Sequence, residues 1–144
     1  MQIVTPYLLY KDCEAALDFL ARGFGFEEVL RYTGEEGYVN HAEMRVGAGG
    51  RIYMGNPGEG YRNPRDQGRE TVGIYVEVDE DVDALCERAR TEGAEIVEEP
   101  ADQEYGHRRF IARDPEGHMW FFALVTKEVE AEEWGATRGT VSGR

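Results

Sequence analysis

Two stretches of the chain decide its fold: Thr5–Val29, TPYLLYKDCEAALDFLARGFGFEEV, and Gly73–Val97, GIYVEVDEDVDALCERARTEGAEIV. They align without gaps at an offset of 68 residues, and eight of the 25 positions are identical. A unit of this size cannot bury its own apolar face, so the repeat predicts two modules packed on each other. The surfaces where the modules meet are therefore the first place to look for function. The identical pairs are Tyr7/Tyr75, Ala16/Ala84, Leu17/Leu85, Ala21/Ala89, Arg22/Arg90, Gly25/Gly93, Glu27/Glu95 and Val29/Val97.

Each copy of the repeat begins a module with the predicted order strand, helix and three further strands. Ile3–Tyr10 is rich in apolar and aromatic residues, which favours a strand. Asp12 is a typical N-cap for the helix that follows, and Gly25 is a typical helix stop. In the second copy, apolar residues alternate with others over Gly73–Val78, which again indicates a strand.

The domain organisation follows from this order. We predict an α+β fold with one domain over residues 1–126, built from two tandem βαβββ modules. Module one is residues 1–56 and module two is residues 71–126, with a Gly- and Pro-rich linker, 57–70, between them. The modules are expected to form a curved mixed sheet with both helices on its convex side. Residues 127–144 are expected to be a polar C-terminal tail outside the site.

Charge and hydropathy limit the partners. The 144 residues carry 29 acidic and 16 basic side chains, a net charge of −13. Phosphate backbones and anionic membranes attract clustered Lys and Arg, so neither nucleic acid nor a membrane is an expected partner. A cationic small molecule is weakly favoured. No apolar run approaches the roughly 18 residues of a membrane span, and no signal peptide is evident, so a cytoplasmic location is expected.

Short motifs follow the repeat in a distinctive order. Two βαβββ modules with Asp114–His118, DPEGH, before a final apolar strand resemble the vicinal oxygen chelate superfamily, which contains glyoxalase I, bleomycin-resistance proteins and extradiol dioxygenases. The chain is most similar to the PhnB-like, or glyoxalase-like, branch of that superfamily over residues 3–125. The matching pieces are Thr5-Pro-Tyr-Leu8, His41-Ala-Glu-Met44, Pro100-Ala-Asp-Gln103, Tyr105-Gly106 and Arg113-Asp-Pro-Glu-Gly-His118 with Trp120.

The resemblance implies where a metal would be bound. Metal-using members place His and Glu ligands on the first and last strand of each module. Carried over to this chain, the first-strand positions fall on Thr5 and Gly73, and the last-strand positions, counted four residues past Gly50 and Gly117, fall on Met54 and Phe121. None of these offers an imidazole or a carboxylate, the donors that iron, zinc or nickel prefer. We therefore predict that the chain lacks the family's metal centre and uses no cofactor.

A different set of ligands is the alternative. His41 and Glu43 lie two residues apart on one predicted strand and so share a face. With His107 they make a conceivable three-ligand metal site. Alternation of polar and apolar residues on a half-exposed strand also explains His41 and Glu43 without any ligand.

The predicted cavity between the modules is aromatic and apolar with a few polar groups, which suits a small organic ligand. Strand parity points Tyr7, Tyr75, Met54 and Phe121 into it, although these side chains could instead fill a solid core. Either Arg108 or Arg109 could pair with a ligand carboxylate or, equally, with a surface carboxylate of the chain. The candidate ligand-binding residues are Tyr7, Met54, Tyr75, Gln103, Tyr105, Arg108 and Phe121.

Two functions remain open from the sequence. The first is a metal-free protein that binds an aromatic or cationic compound between the modules, as drug-sequestering members of the resembled family do. The second is a glyoxalase, lyase or dioxygenase-type enzyme that uses a displaced metal, or His41 and Glu43 as acid–base groups. Either protein is expected to be a homodimer, because exposed sheet edges favour a symmetric partner.

Overall fold

The computed structural model describes residues 2–140. Module one forms a four-stranded sheet in the order β1-β4-β3-β2. The pairing of β1 with β4 is parallel and the other two pairings are antiparallel. Its elements are β1 (Tyr7–Leu9), α1 (Cys13–Phe24), β2 (Glu27–Thr33), β3 (Val39–Val46) and β4 (Gly50–Gly55).

Module two repeats this arrangement as a second four-stranded sheet, in the order β5-β8-β7-β6. The strand–helix–strand order of the two aligned stretches and the tandem βαβββ fold are therefore confirmed. Among the described residues the mixed sheet consists of these two halves, with no strand pairing between them. The remaining elements are α2 (Pro64–Gln67), β5 (Gly73–Val78), α3 (Val82–Glu92), β6 (Glu95–Asp102), β7 (His107–Arg113), β8 (Met119–Val125) and a 3-10 helix (Ala131–Trp134).

Local sequence explains how the helices begin and end. The Asp12 carboxylate accepts a hydrogen bond from the backbone N–H of Ala15, as an N-cap does. Gly25 ends α1 with a φ of 75°, a conformation that a residue with a Cβ rarely adopts. In module two, Asp81 and Gly93 do the same for α3. No helix of residues 2–140 is long and apolar enough to cross a bilayer.

The helices cover one face of each sheet, and the two modules share one core. The helices α1 and α3 pack against each other, and Arg88 of α3 donates hydrogen bonds to the carbonyls of Ala21 and Arg22 at the end of α1. Phe24 of module one packs against the rings of Trp120 and Phe122 on β8. The opposite faces of the sheets lie open, and they carry most of the predicted site residues.

Three element boundaries differ from the predicted ones. The first strand, Tyr7–Leu9, is shorter than the predicted one, and Ile3 and Val4 before it are 86% and 80% exposed. The sequence predicts a strand over Glu95–Glu98, but β6 continues through Pro100 to Asp102. Proline is tolerated there because β6 is an edge strand with two register shifts. The linker contains the short helix α2.

The DPEGH turn joins the modules. Asp114 is buried and accepts hydrogen bonds from the Tyr10 hydroxyl (2.6 Å) and the Trp120 indole N–H (3.1 Å). The Glu116 carboxylate accepts from the backbone N–H groups of Lys11 and Asp12, immediately before α1. This motif therefore ties module two to the start of the first helix of module one.

Candidate functional site

The open face of module one carries a hydrogen-bonded chain of three side chains. The Tyr7 hydroxyl lies 2.9 Å from Nδ1 of His41, and Nε2 of His41 lies 3.1 Å from a carboxylate oxygen of Glu43. An ionised carboxylate only accepts hydrogen bonds, so Nε2 of His41 carries the proton. In neutral His41, Nδ1 is then the acceptor, and Tyr7 donates to it.

Strand register brings this chain of side chains together. His41 and Glu43 alternate with buried Ala42 and therefore share the open face of β3. The parallel register places Tyr7 beside Tyr53 on β4. A Cβ added at Gly55, the cross-strand partner of His41, would lie 2.8 Å from the Tyr7 hydroxyl. The missing side chain at Gly55 thus leaves the space in which the Tyr7 phenol reaches His41.

The three groups differ in exposure. Tyr7 is 51% exposed, whereas the side chains of His41 and Glu43 are 29% and 17% exposed. Arg51 of β4 contacts the second oxygen of Glu43 through one guanidinium N–H, at 3.4 Å. The phenol of Tyr7 is therefore the solvent-facing end, and the carboxylate behind it is partly neutralised.

The open face of module two is more aromatic. Tyr75 stacks on Phe121 with ring centres 5.7 Å apart, and its hydroxyl lies 2.7 Å from Nδ1 of His107 and 3.3 Å from the Tyr105 hydroxyl. Burial, followed by the Tyr105 hydrogen bond, raises the pKa of Tyr75. The predicted residues Tyr75, Tyr105 and Phe121 do form one cluster.

The arginine of this cluster is Arg109. Its guanidinium donates to the Tyr105 hydroxyl at 2.9 Å, contacts Glu98 at 3.1 Å and lies 5.5 Å from the centre of the Phe121 ring. The candidate Arg108 points to the helix side of β7, because neighbouring residues of a strand face opposite ways. There Arg108 binds Asp83 of α3 and Asp102, so its predicted place in the site is wrong.

Met54 is also placed differently from the prediction. Its register partners are Leu8 and Ala42, and it is completely buried on the helix side. Tyr53 is the residue that pairs with Tyr7, as Phe121 pairs with Tyr75. The error comes from counting strand positions from Gly50, whereas the repeat offset makes Gly49 the counterpart of Gly117. Both of those turn glycines have positive φ, 144° and 96°.

The metal positions that the family implies do not fit a metal here. Because Tyr53 takes the position that was predicted for Met54, both last-strand positions carry an aromatic ring, Tyr53 and Phe121. At Gly73, a Cβ would lie 2.5 Å from the Phe121 ring, so the ring occupies the space of a ligand side chain. Thr5 and Tyr53 offer one hydroxyl oxygen each, and neither offers the imidazole or carboxylate that iron, zinc or nickel prefers.

The relocated three-ligand site is not formed either. His107 bonds to Tyr75 on the face of module two and does not join His41 and Glu43. Within residues 2–140, the one group of three potential ligands with donor atoms within 4.8 Å is Cys86, Glu87 and Glu99. That group is already bridged by the guanidinium of Arg90, which contacts all three residues.

A groove of about 370 Å³ lies between the edge strands β1 and β5. Of the predicted ligand-binding residues, Tyr7 alone lines it. The Tyr61 hydroxyl and Nε2 of His118 both lie within hydrogen-bonding distance of the Leu9 carbonyl, which fixes one wall. Its lining is Pro6, Tyr7, Leu8, Leu9, Tyr61, Pro64, Gln67, Arg69, Glu70, Thr71, Val72, Ile74 and His118.

The linker and the tail contribute residues that sequence reasoning missed. Tyr61 and Arg69 of the linker line the groove, and Trp134 of the tail packs on Tyr105 with ring centres 5.6 Å apart. The tail crosses module two at Gly106, where a Cβ would lie 2.3 Å from the Lys127 carbonyl. The sequence signal that could have revealed this contact was the aromatic residue Trp134 in an otherwise polar segment. The candidate Gln103 lies beside this segment and donates to the Ala101 carbonyl.

Comparison with known proteins agrees with this architecture. The two tandem βαβββ modules have the arrangement of the vicinal oxygen chelate fold. The chain belongs to the glyoxalase/bleomycin resistance protein/dioxygenase superfamily, whose family profile matches residues 2–122.

Individual relatives span nearly the same length. An uncharacterized protein of Mycobacterium bovis is 31% identical over 135 residues, covering 90% of this chain and 88% of the relative. The crystal structure of TioX from Micromonospora sp. ML1 is 32% identical, with a TM-score of 0.69, and covers 90% of this chain and 100% of that one. A glyoxalase/bleomycin resistance protein/dioxygenase from Nocardioides, 21% identical with a TM-score of 0.62, is similar in fold; the match covers 99% of this chain and 90% of that one.

Proposed function

We propose that the protein binds a small organic compound, aromatic or cationic, in the groove between its modules. The observation that carries the proposal is the groove itself. Its volume of about 370 Å³ lies within the usual range of small-molecule sites, roughly 300–1,000 Å³. Apolar and aromatic side chains from both modules and the linker line most of it, and its polar residues are Gln67, Arg69, Glu70, Thr71 and His118.

The charges in the groove favour an aromatic compound over a simple cation. Glu70 accepts two hydrogen bonds from the Arg113 guanidinium, at 3.2 and 3.3 Å, so its charge is balanced within the protein. The guanidinium of Arg69 has no carboxylate partner among the described residues. The net charge of −13 still attracts cations at long range, an effect that salt screens.

The ligand is expected to stack on Tyr7. This ring borders the groove on one side and is half exposed, so it offers a free aromatic face. Stacking of an aromatic or cationic group on such a ring is worth about 0.5–2 kcal/mol, and Tyr7→Ala should therefore weaken binding by roughly several-fold to thirtyfold. The variant should unfold near the parent temperature, because a half-exposed ring contributes little to the core.

Two aromatic dyes of opposite charge test the proposal by equilibrium dialysis: cationic proflavine and anionic 8-anilinonaphthalene sulfonate. Val72→Trp should fill the groove from its rim and weaken dye binding. Val97→Trp is the matched control, since Val97 is exposed on β6 away from the groove. Binding of neither dye, or equal effects of the two tryptophan variants, would refute a site in the groove.

Self-association is a further part of the proposal, and we propose a homodimer. The edge strands β1 and β5 and the exposed Ile3, Val4 and Val72 beside them support it. Exposed strand edges next to apolar side chains favour pairing with another chain. A second copy that covers these residues would also close one side of the groove.

A further inference from the structure

The hydrogen-bonded chain Tyr7–His41–Glu43 has the order of an activated nucleophile. A nucleophile, a base within hydrogen-bonding reach and a third group that orients the base form the general pattern of covalent catalysis. Here the phenol is 2.9 Å from the imidazole, and the imidazole is 3.1 Å from the carboxylate. The carboxylate fixes the tautomer that leaves Nδ1 free to accept the phenol proton.

Exposure follows the same order. The carboxylate is the most enclosed group, the imidazole is intermediate, and the phenol is half exposed to solvent. A small molecule therefore reaches Tyr7 first. Gly55 completes the arrangement, because any side chain at this position would collide with the Tyr7 hydroxyl and move it from His41.

Module two provides an internal comparison. Tyr75 makes the equivalent bond to Nδ1 of His107, at 2.7 Å. In the described part of the chain, however, no carboxylate contacts the other ring nitrogen of His107. The Tyr75 hydroxyl also contacts Tyr105, which itself receives a hydrogen bond from Arg109. The complete set of three groups is thus confined to module one.

We propose that the open face of module one is an acyl-transfer site for small esters with a good leaving group, in which Tyr7 is the nucleophile. The Tyr7 oxygen forms a bond to the ester carbonyl carbon, and its proton passes to Nδ1 of His41. The bond to the leaving group breaks, and the departing oxygen takes that proton. Water then cleaves the acyl–tyrosine ester by the same route, so the sum is ester plus water giving acid plus alcohol.

The other groups on this face have supporting parts. Glu43 is a positioning residue, because it holds the imidazolium that forms when His41 takes the proton. Arg51 supplies a positive charge near the developing oxyanion. Its guanidinium is held within residues 2–140 by the single 3.4 Å contact with Glu43, so it is free to turn toward an acyl oxygen.

The test uses p-nitrophenyl acetate on the full-length chain, with acetylated residues located and timed by peptide mass spectrometry. Tyr7 should be acetylated roughly 100-fold faster than Tyr32, the lower range for assistance by a general base. Tyr32 is the matched control: it lies opposite His41 on the next strand and is 59% exposed. Hydroxylamine, which removes acetyl groups from tyrosine but not from lysine, separates the two kinds of label.

Four variants assign the roles. Tyr7→Phe should abolish release of nitrophenolate beyond the background of the lysines, while Tyr32→Phe should leave it unchanged. Glu43→Gln and Gly55→Ala should each slow acetylation of Tyr7 by at least about tenfold, because both impair general-base assistance while keeping the phenol and the imidazole. Thermal midpoints within a few degrees of the parent would show that the folds are intact.

The proposal is overturned if Tyr7 reacts no faster than Tyr32 or Tyr75. It is equally overturned if a folded Glu43→Gln variant acetylates Tyr7 at the parent rate. Dye binding in the groove is measured separately, so loss of acyl transfer leaves the binding proposal standing.

Discussion

Replacing Asp114 by Asn should show how much the hydrogen bonds of this carboxylate contribute to stability, apart from the rest of the core. The Asp114 carboxylate accepts four hydrogen bonds: from the Tyr10 hydroxyl, the Trp120 indole and the backbone N–H groups of Glu116 and His118. Burial raises the pKa of Asp114, and the bonds from Tyr10 and Trp120 counteract that rise. Burial and the adjacent carboxylate also raise the pKa of Tyr10, so its hydroxyl remains a donor.

The expected loss of stability in Asp114→Asn follows from counting hydrogen-bond donors and acceptors. In Asp114→Asn, the remaining oxygen can still accept both backbone bonds, while the new amide N–H₂ faces Tyr10 and Trp120. The Tyr10 hydroxyl can turn and accept, but the indole N–H of Trp120 only donates and is left unpaired in a buried place. An unpaired buried donor and the loss of charge-assisted bonds cost about 2–3 kcal/mol together. For a chain of this size that is a fall in Tm of about 6–15 °C.

Thermal and urea unfolding of four chains checks this reasoning: the parent, Asp114→Asn, Tyr10→Phe and the double variant. Because Tyr10 and Asp114 bond directly, the double variant should cost less than the sum of the two single variants. Asp18→Asn is the matched control, an exposed aspartate on α1 that should cost less than about 0.5 kcal/mol. The reasoning fails if Asp114→Asn costs no more than Asp18→Asn, or if the effects of Tyr10 and Asp114 simply add.

Three further predictions concern pH, metal and assembly. The hydrogen bonds from Arg113 lower the pKa of Glu70, so their stabilisation is present above the ordinary glutamate pKa and is lost as pH falls through the lowered pKa. The difference in unfolding free energy between the parent and Glu70→Gln should therefore shrink from pH 6 to pH 3. A difference that stays constant over this range would contradict the prediction. Untagged, dialysed protein should carry no stoichiometric iron, zinc or nickel by elemental analysis, and one metal per chain lost on His41→Ala would show a metal site. Sedimentation should give a dimer that Ile3→Asp weakens, whereas a monomer at high micromolar concentration would count against the exposed edges as an interface.

The repeat and the local signals were sufficient for the fold. Gly25 and Gly93 end the two helices, and alternation along Gly73–Val78 gives both the strand and its buried face. Such signals act through neighbouring backbone angles and through which side of an element is apolar, and both are written in a few consecutive residues. Parity was also enough to place His41 and Glu43 on one open face.

The contacts that define the candidate site depended on the tertiary structure. Counting from Gly50 and not from Gly49 selected Met54 in place of Tyr53. A shift of one position matters because it turns a strand's side chains to the opposite face. The same alternation separated Arg108 from Arg109 across the sheet. The repeat offset of 68 residues already pairs Tyr53 with Phe121, whereas the faces of the two arginines needed the register of the neighbouring strands.

Long-range neighbours were likewise outside the reach of the sequence pattern. Asp114 meets Tyr10 across 104 positions of the chain, Trp134 comes from the tail to Tyr105, and Tyr7 meets His41 because Gly55 leaves the room. The sequence by itself determined the two βαβββ modules and their apolar faces, since these rest on local periodicity. The tertiary structure alone decided which tyrosine is paired with a histidine and a carboxylate, since that depends on packing between elements distant in the chain.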